Sequence, residues 1–308
     1  MAQPHNYPFE TLKLDTQINK KLKILVTGAK GFTGAHFIKM ANTLGHETVA
    51  LNANINDVNA LENEIISIQP TAIAHFAGIS FVASKDEEAF YRVHALGTSN
   101  ILNAALKLKD KPHKILLASS ATVYGNHPAP YSVESQELEP IDHYAISKVA
   151  MEDMARTFMD KLSIVIARPF NYTGVGQKGN FLIPKLVRHF SEKSPFIELG
   201  NLNVEREFNN VEMICAAYLA LLDFGVAGET YNVSSGKAHS LQDVINTLSQ
   251  ITKHHPEIAI NRDFVRSNEV HRMCGNPAKL NLLLAQHQVT LPASDLASTL
   301  KNMLAASV

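Results

Sequence analysis

Tyr144 and Lys148 stand four positions apart in Tyr-Ala-Ile-Ser-Lys, a spacing that brings a phenol and an ammonium onto one face of a helix. A cation beside a phenol favours the phenolate and lowers its pKa. A tyrosine tuned in this way can give or take the proton of a substrate hydroxyl while a hydride moves. The lysine can also hold the ribose of a nicotinamide. Upstream, residues 118–125 read Ala-Ser-Ser-Ala-Thr-Val-Tyr-Gly, and Ser120 in this run could hydrogen-bond a reacting carbonyl oxygen. Nearer the N-terminus, residues 27–34 read Thr-Gly-Ala-Lys-Gly-Phe-Thr-Gly. Gly28 permits a tight turn, Gly31 lets the backbone approach a pyrophosphate, and Gly34 lets a helix pack closely on a strand. Phosphates then face a helix N-terminus, where free N–H groups and the dipole favour anions.

These residues need elements to hold them. Leu22–Thr27 is a short apolar run rich in β-formers, as a buried parallel strand should be. Phe32–Leu44 has helical spacing and stops near Gly45. Strands are then expected at Glu47–Leu51, Ala72–Phe76, Lys114–Ala118 and Ile164–Ala167, and helices at Leu61–Ile68, Glu87–Leu108 and Tyr144–Leu162. Strands alternating with helices imply a doubly wound parallel sheet, an α/β Rossmann fold, with ligands at the carboxyl ends of the strands. Beyond Pro169 the rhythm loosens. Helices are expected at Phe181–Phe190, Val211–Phe224, Leu241–Ile251 and Leu296–Leu304, with a strand at Glu229–Val233. The organisation predicted is an extension over 1–21 and a dinucleotide-binding core over 22–170, to which 209–236 returns. Residues 171–208 and 237–308 make a smaller, intertwined substrate lobe.

The bulk composition narrows the function. At 308 residues the chain is long enough for one large α/β unit or a core plus a smaller lobe. A net charge of −1 makes no electrostatic case for nucleic acid or an anionic membrane. The two cysteines, Cys215 and Cys274, lie far apart in no metal spacing and suit a reducing compartment. The fourteen histidines show no metal-binding spacing either. The first 23 residues lack the apolar core of a signal peptide, and no stretch is long enough to span a bilayer, so a cytoplasmic location is expected.

The choice of nicotinamide is open in the residues. An NAD site usually carries an acid at the end of the second strand; Asn52 stands there. Lys30 in the glycine turn could meet a 2′-phosphate, which favours NADP(H) modestly, or it could be a solvated loop lysine. Asp57, with Val58 beside it, could contact the adenine. The candidate cofactor residues are thus Gly28, Lys30, Gly31, Phe32, Thr33, Gly34, Asp57 and Val58, with Tyr144 and Lys148 at the nicotinamide end.

Together TGAKGFTG, HFAG (His75–Gly78), SSATVYG, YAISK and ARPFNYTGVGQ (Ala167–Gln177) fall in the order of the extended short-chain dehydrogenase/reductase family, which this chain resembles over about residues 22–305. That family comprises nucleotide-sugar epimerases, dehydratases and reductases. The resemblance implies that Ser120, Tyr144 and Lys148 are the catalytic triad. It also implies that Ala77, Gly78, Pro169 and Phe170 line the cofactor and that Asn171 binds the substrate's diphosphate. The C-terminal half is most similar to the branch that reduces GDP-4-keto-6-deoxy-D-mannose to a rhamnose-type GDP-6-deoxyhexose. There Arg206 would grip phosphates, or else pair with Glu205 or Glu207, and the Arg266–Glu269 segment would meet the nucleotide ribose. Ser80, Thr122 and Lys185 complete the candidate substrate contacts.

Three departures from the family pattern stand out: Arg206-Glu207-Phe208 where Arg-Asp-Phe is common, His94 where an Asn is common, and Ala121 and Thr122 where dehydratases carry an acid. Neither of the last two can move a carbon-bound proton, which disfavours a 4,6-dehydratase. The reading that follows is an NAD(P)H-dependent 4-keto reductase of a nucleotide sugar. A 4-epimerase with resident NAD is the alternative, and a non-catalytic dinucleotide sensor or scaffold is a third. The family also implies a homodimer formed through the helices near 87–108 and 144–162.

Overall fold

A computed structural model describes residues 21–79, 86–261, 264 and 270–307 of the chain. It opens with β1 (Lys23–Thr27), α1 (Phe32–Thr43), β2 (Glu47–Ala50), α2 (Val58–Ile68) and β3 (Ala72–His75). Then come α3 (Glu87–Tyr91), a π-helical turn over Arg92–Leu96, α4 (Gly97–Leu106), β4 (Lys114–Ala118), α5 (His143–Arg156) and β5 (Ile164–Pro169). The second half holds β6 (Tyr172–Thr173), α6 (Leu182–Ser191), β7 (Phe196–Leu199), β8 (Glu205–Arg206), β9 (Asn209–Asn210), α7 (Val211–Phe224) and β10 (Thr230–Val233). It closes with β11 (His239–Ser240), α8 (Leu241–Thr252), β12 (Glu257–Ile260), β13 (Arg272–Met273), α9 (Ala278–Gln286) and α10 (Leu296–Ala305).

Six parallel strands form the central sheet in the order β10-β5-β4-β3-β1-β2. Alternation along each strand sends residues to opposite faces. Ile24, Val26, Leu116, Val165 and Ala167 face one core with α1 and α7. Leu25, Ile73, Ile115, Leu117, Ile164 and Ile166 face the other, with residues of α2 and α4. Both faces are covered, so the strands are apolar throughout, as a parallel sheet requires. The chain leaves β1 toward β2 on one side and returns to β3 on the other. This reversal between β1 and β3 opens a crevice at their carboxyl ends.

A third core, apart from the sheet, gathers α6, α8, α10 and β7 through Leu186, Phe190, Leu199, Val244, Leu248 and Leu300. The C-terminal segment divides between the cores, because Leu280, Leu283 and Leu284 of α9 pack back against the sheet's first face.

The observed elements depart from the sequence pattern in places. The helix expected over Glu87–Leu108 is split by the π-helical turn, where Gly97 N bonds to Arg92 O. The carbonyl of His94 in that turn is taken by Thr98 Oγ1 at 2.5 Å. The helix expected to reach Leu162 ends at Arg156. The short strands β6, β8, β9, β11 and β13 hold two residues each, too few for any period. Among the described residues no helix is long and apolar enough to cross a membrane.

Candidate active site

Three of the predicted residues meet at the carboxyl end of β4. The chain leaves β4 at Ala118, and Ser120 caps a short 3-10 turn through Thr122 N at 3.2 Å. Thr122 Oγ1 also donates to Ser120 Oγ at 2.9 Å. Ser120 is also a hydrogen-bond partner of the Tyr144 phenol. Helix α5 delivers Tyr144 because Asp142 caps it, accepting from Ala145 N at 2.7 Å. One turn on, Lys148 Nζ donates to Ala118 O at 2.8 Å, which fixes the ammonium over the end of β4. Thr122 thus serves Ser120 in the first instance.

The electrostatics correct one expectation. Burial pushes the Tyr144 phenol up, the Ser120 hydrogen bond pulls it down, and Asp142 pushes it up again. The net direction is upward, so Tyr144 is a protonated phenol at neutral pH, and depression by Lys148 does not dominate. Lys148 itself is pushed down to about 8 by burial, against an upward pull from Glu152.

The glycine turn joins this cluster from β1. Gly28 has φ +67°, and a Cβ there would stand 2.8 Å from Ala77 N, which only glycine avoids. A Cβ on Gly34 would come within 2.3 Å of Gly28 O. Helix α1 begins at Gly31 with no side-chain cap and no acidic residue in its first turn. Its amides are therefore presented to whatever lies in the crevice, a cradle that fits the pyrophosphate of a dinucleotide. Thr33 Oγ1 bonds Tyr172 Oη at 2.6 Å and Phe32 stacks on Tyr172, tying this end of α1 to β6. Lys30 is exposed in the turn. Across the crevice, Ala77 N donates to Thr27 Oγ1 at 2.9 Å, and Gly78 lies against His94 and Lys148. At the far end, Asp57 caps α2 through Ala60 N, Val58 is exposed, and Glu64 accepts from the amides of Asn52 and Ala53.

Other predicted residues stand differently. Phe170 is fully buried against Tyr124, so its ring does not line the crevice; Pro169 ends β5 beneath it. Asn171 is exposed, and its carbonyl accepts from Asn209 N. Lys185 donates to Glu198 O at 3.1 Å and lies over the Phe264 ring at 4.6 Å. Arg206 donates to the backbone carbonyls of Glu205, Val270 and His271. The ion pairs weighed for it are not what these acids make. Glu205 pairs with Arg272, and Glu207 is buried among Ser234, Ser235, Asn209 and Gly275 N. Ser80, Arg266 and Glu269 lie outside the described residues.

Sequence reading missed the support beneath Ser120, Tyr144 and Lys148. Glu152 is fully buried and takes Ser119 Oγ at 2.6 Å and the Arg168 guanidinium at 2.9 and 2.6 Å. Arg168 continues to Tyr124 Oη, and Tyr124 to Asn232. The one available signal was a charged residue, Arg168, inside an apolar strand.

The model of the NAD dependent epimerase/dehydratase family matches residues 24–234. A GDP-6-deoxy-D-talose 4-dehydrogenase of Aggregatibacter actinomycetemcomitans is 32% identical, spanning 92% of this chain and 98% of its own length. A GDP-6-deoxy-D-mannose reductase of Pseudomonas aeruginosa is 31% identical over 84% of this chain and 90% of its own. The solved structure of RMD from Pseudomonas aeruginosa, complexed with NADPH, superposes with a TM-score of 0.84 at 27% identity, covering 93% of this chain and 99% of that one.

Proposed function

The chain belongs to the NAD dependent epimerase/dehydratase family, and from that premise we propose that it reduces the C4 keto group of GDP-4-keto-6-deoxy-D-mannose to the alcohol with NAD(P)H. That it is an enzyme acting on a nucleotide sugar through a nicotinamide dinucleotide follows from its relatives. The substrate and the direction are the proposal. Two relatives bear the names of GDP-6-deoxy-D-talose and GDP-6-deoxy-D-mannose enzymes. These sugars differ only in configuration at C4, so a single 4-keto compound stands behind both.

The observation that carries the reading is the convergence of Ser120, Tyr144 and Lys148 on the carboxyl end of β4, facing the glycine turn across the crevice. Gly28–Gly34 would hold the dinucleotide and Lys148 its nicotinamide ribose, and the bound group would supply a hydride for C4. Tyr144, protonated at neutral pH, gives its proton to the carbonyl oxygen as that oxygen gains charge. Ser120 donates to the same oxygen and fixes its place. The phenolate left behind recovers a proton from solvent while Lys148 holds the charge in check. Neither Ala121 nor Thr122 offers the acid that dehydration needs.

Lys30 is proposed to meet a 2′-phosphate, making NADPH the better donor. Asn171 and Arg206 are proposed for the diphosphate. Leu96 and Ile146, 59% and 40% exposed on the helices beside the site, support a homodimer through that face.

The test is to supply GDP-4-keto-6-deoxy-D-mannose with NADPH or NADH and follow absorbance and product. One dinucleotide consumed per GDP-6-deoxyhexose formed is expected, with NADPH the better donor. A folded protein that consumes neither dinucleotide would sink the reading.

A further inference from the structure

The His94 ring, fully buried behind the turn after β3, uses both of its nitrogens. Nε2 accepts from Ile79 N–H at 3.1 Å, which leaves the ring proton on Nδ1. Nδ1 donates to Ser147 Oγ at 2.8 Å, and Ser147 Oγ donates to the carbonyl of Tyr144 at 2.7 Å. The direction of each bond follows from its ends, because an amide N–H cannot accept and a carbonyl cannot donate.

A second path runs beside the first. Ala77 N–H donates to Thr27 Oγ1 at 2.9 Å, and Thr27 donates to His75 Nδ1 at 2.6 Å. His75 Nε2 donates to Thr98 Oγ1 at 2.8 Å, and Thr98 donates to the His94 carbonyl in the π-helical turn. The turn between these paths has no slack. A Cβ on Gly78 would lie 3.2 Å from His94 Nε2 and 3.7 Å from Lys148 Nζ.

We infer that His94 is a positioning residue that fixes the Ala77–Ile79 turn against the helix carrying Tyr144, so that dinucleotide and proton donor keep one mutual register. The inference rests on reading this crevice as the nicotinamide site. Neutral imidazole is required on the first path, since a proton on His94 Nε2 would confront the Ile79 N–H. Burial first, and the charge of Lys148 second, push His75 to about 3 and His94 to about 2, which keeps both rings neutral. The ring also stacks on Phe90 and meets Tyr144 edge-on, so its shape and its hydrogen bonds can be separated by substitution.

The experiment is calorimetric titration of the full chain and its variants with NADPH and NADH. His94→Phe keeps the ring contacts and removes both polar atoms; it should weaken dinucleotide binding about tenfold, the worth of one or two lost hydrogen bonds. His94→Gln restores an acceptor near the Nε2 position and should bind within about threefold of wild type. Adding Ser147→Ala to His94→Phe should cost less than about twofold more, because the two residues share one path. Wild-type affinity in a folded His94→Phe, or a Gln variant as weak as Phe, overturns the inference and leaves the site reading intact. Failure of the wild-type chain to bind either dinucleotide overturns both. If His94→Phe does not fold, Ser147→Ala decides alone: about threefold weaker binding is expected, and unchanged affinity overturns the inference.

Discussion

Tyr144 carries the heaviest demand of any single residue. Replacing it with Phe removes the proton donor while keeping the ring against Phe90 and His94. Turnover should fall about a hundred- to ten-thousand-fold, the usual contribution of a general acid, with dinucleotide binding retained. Lys148 sets the pH dependence. Its pKa in the fold, about 8, lies below the ordinary 10.5 because burial disfavours the cation. Raising the pH through about 8 therefore removes the ammonium, and kcat/KM for reduction should decline on that alkaline limb. Stability moves the opposite way between about 8 and 10.5, where the unfolded chain binds the extra proton. His75 and His94 act at the acid end. Their depressed values mean that the unfolded chain takes up protons below about 6.5 and the folded chain does not. Each should cost about 2 kcal/mol of stability by pH 5, so thermal melts should fall steeply from pH 7 to 5. A melting temperature flat across that range would contradict the buried neutral rings. That Ser120, Tyr144 and Lys148 would gather at one end of the sheet was legible in the sequence, because each lies at or just beyond the carboxyl end of a strand or on the helix that follows. Glu152, Ser119 and Arg168 were not, since their meeting depends on a helix crossing two strands.

Two short elements determine whether those residues meet. Asp142 starts α5 two residues before Tyr144, and losing a cap costs about 0.5–2 kcal/mol. Asp142→Ala should lower stability by that amount in a denaturant melt. It should also lower turnover, because the frayed residue is the neighbour of Tyr144; unchanged kcat would show that Tyr144 keeps its place without the cap. At the other end, Gly34→Ala drives a methyl into Gly28 O and should abolish dinucleotide binding or folding. The glycine turn and the sheet strands could be read directly, because apolar runs punctuated by glycine have few other solutions. The π-helical turn could not. Residues 87–108 have an unbroken helical pattern, and the widened turn sits where Thr98 bonds the His94 carbonyl and His75 bonds Thr98, a meeting of residues distant in sequence. The two-residue strands were hidden for the simpler reason that two residues have no period.

The molecule as a whole is a covered sheet and a smaller core joined near Glu207. That buried carboxylate accepts from Asn209 Nδ2, the amides of Ser235 and Gly275, and the hydroxyls of Ser234 and Ser235. It ties the end of β10 to the segments around β8 and β13. Glu207→Gln turns one acceptor into a donor among donors and should cost about 1–3 kcal/mol, read as a lower midpoint in urea. The alternation of strand and helix made the sheet legible, whereas the return of α9 to it was not, because Leu280 and Leu283 fit either core by type alone. The central claim, hydride delivery to C4 of a GDP-linked keto sugar, is tested most directly by isotope transfer. Turnover of GDP-4-keto-6-deoxy-D-mannose with NADPH deuterated on either face of the nicotinamide C4 should place one deuterium at C4 of the GDP-6-deoxyhexose from one of the two. Product formed with neither label, or consumption of neither cofactor by a folded chain that binds it, would contradict the account.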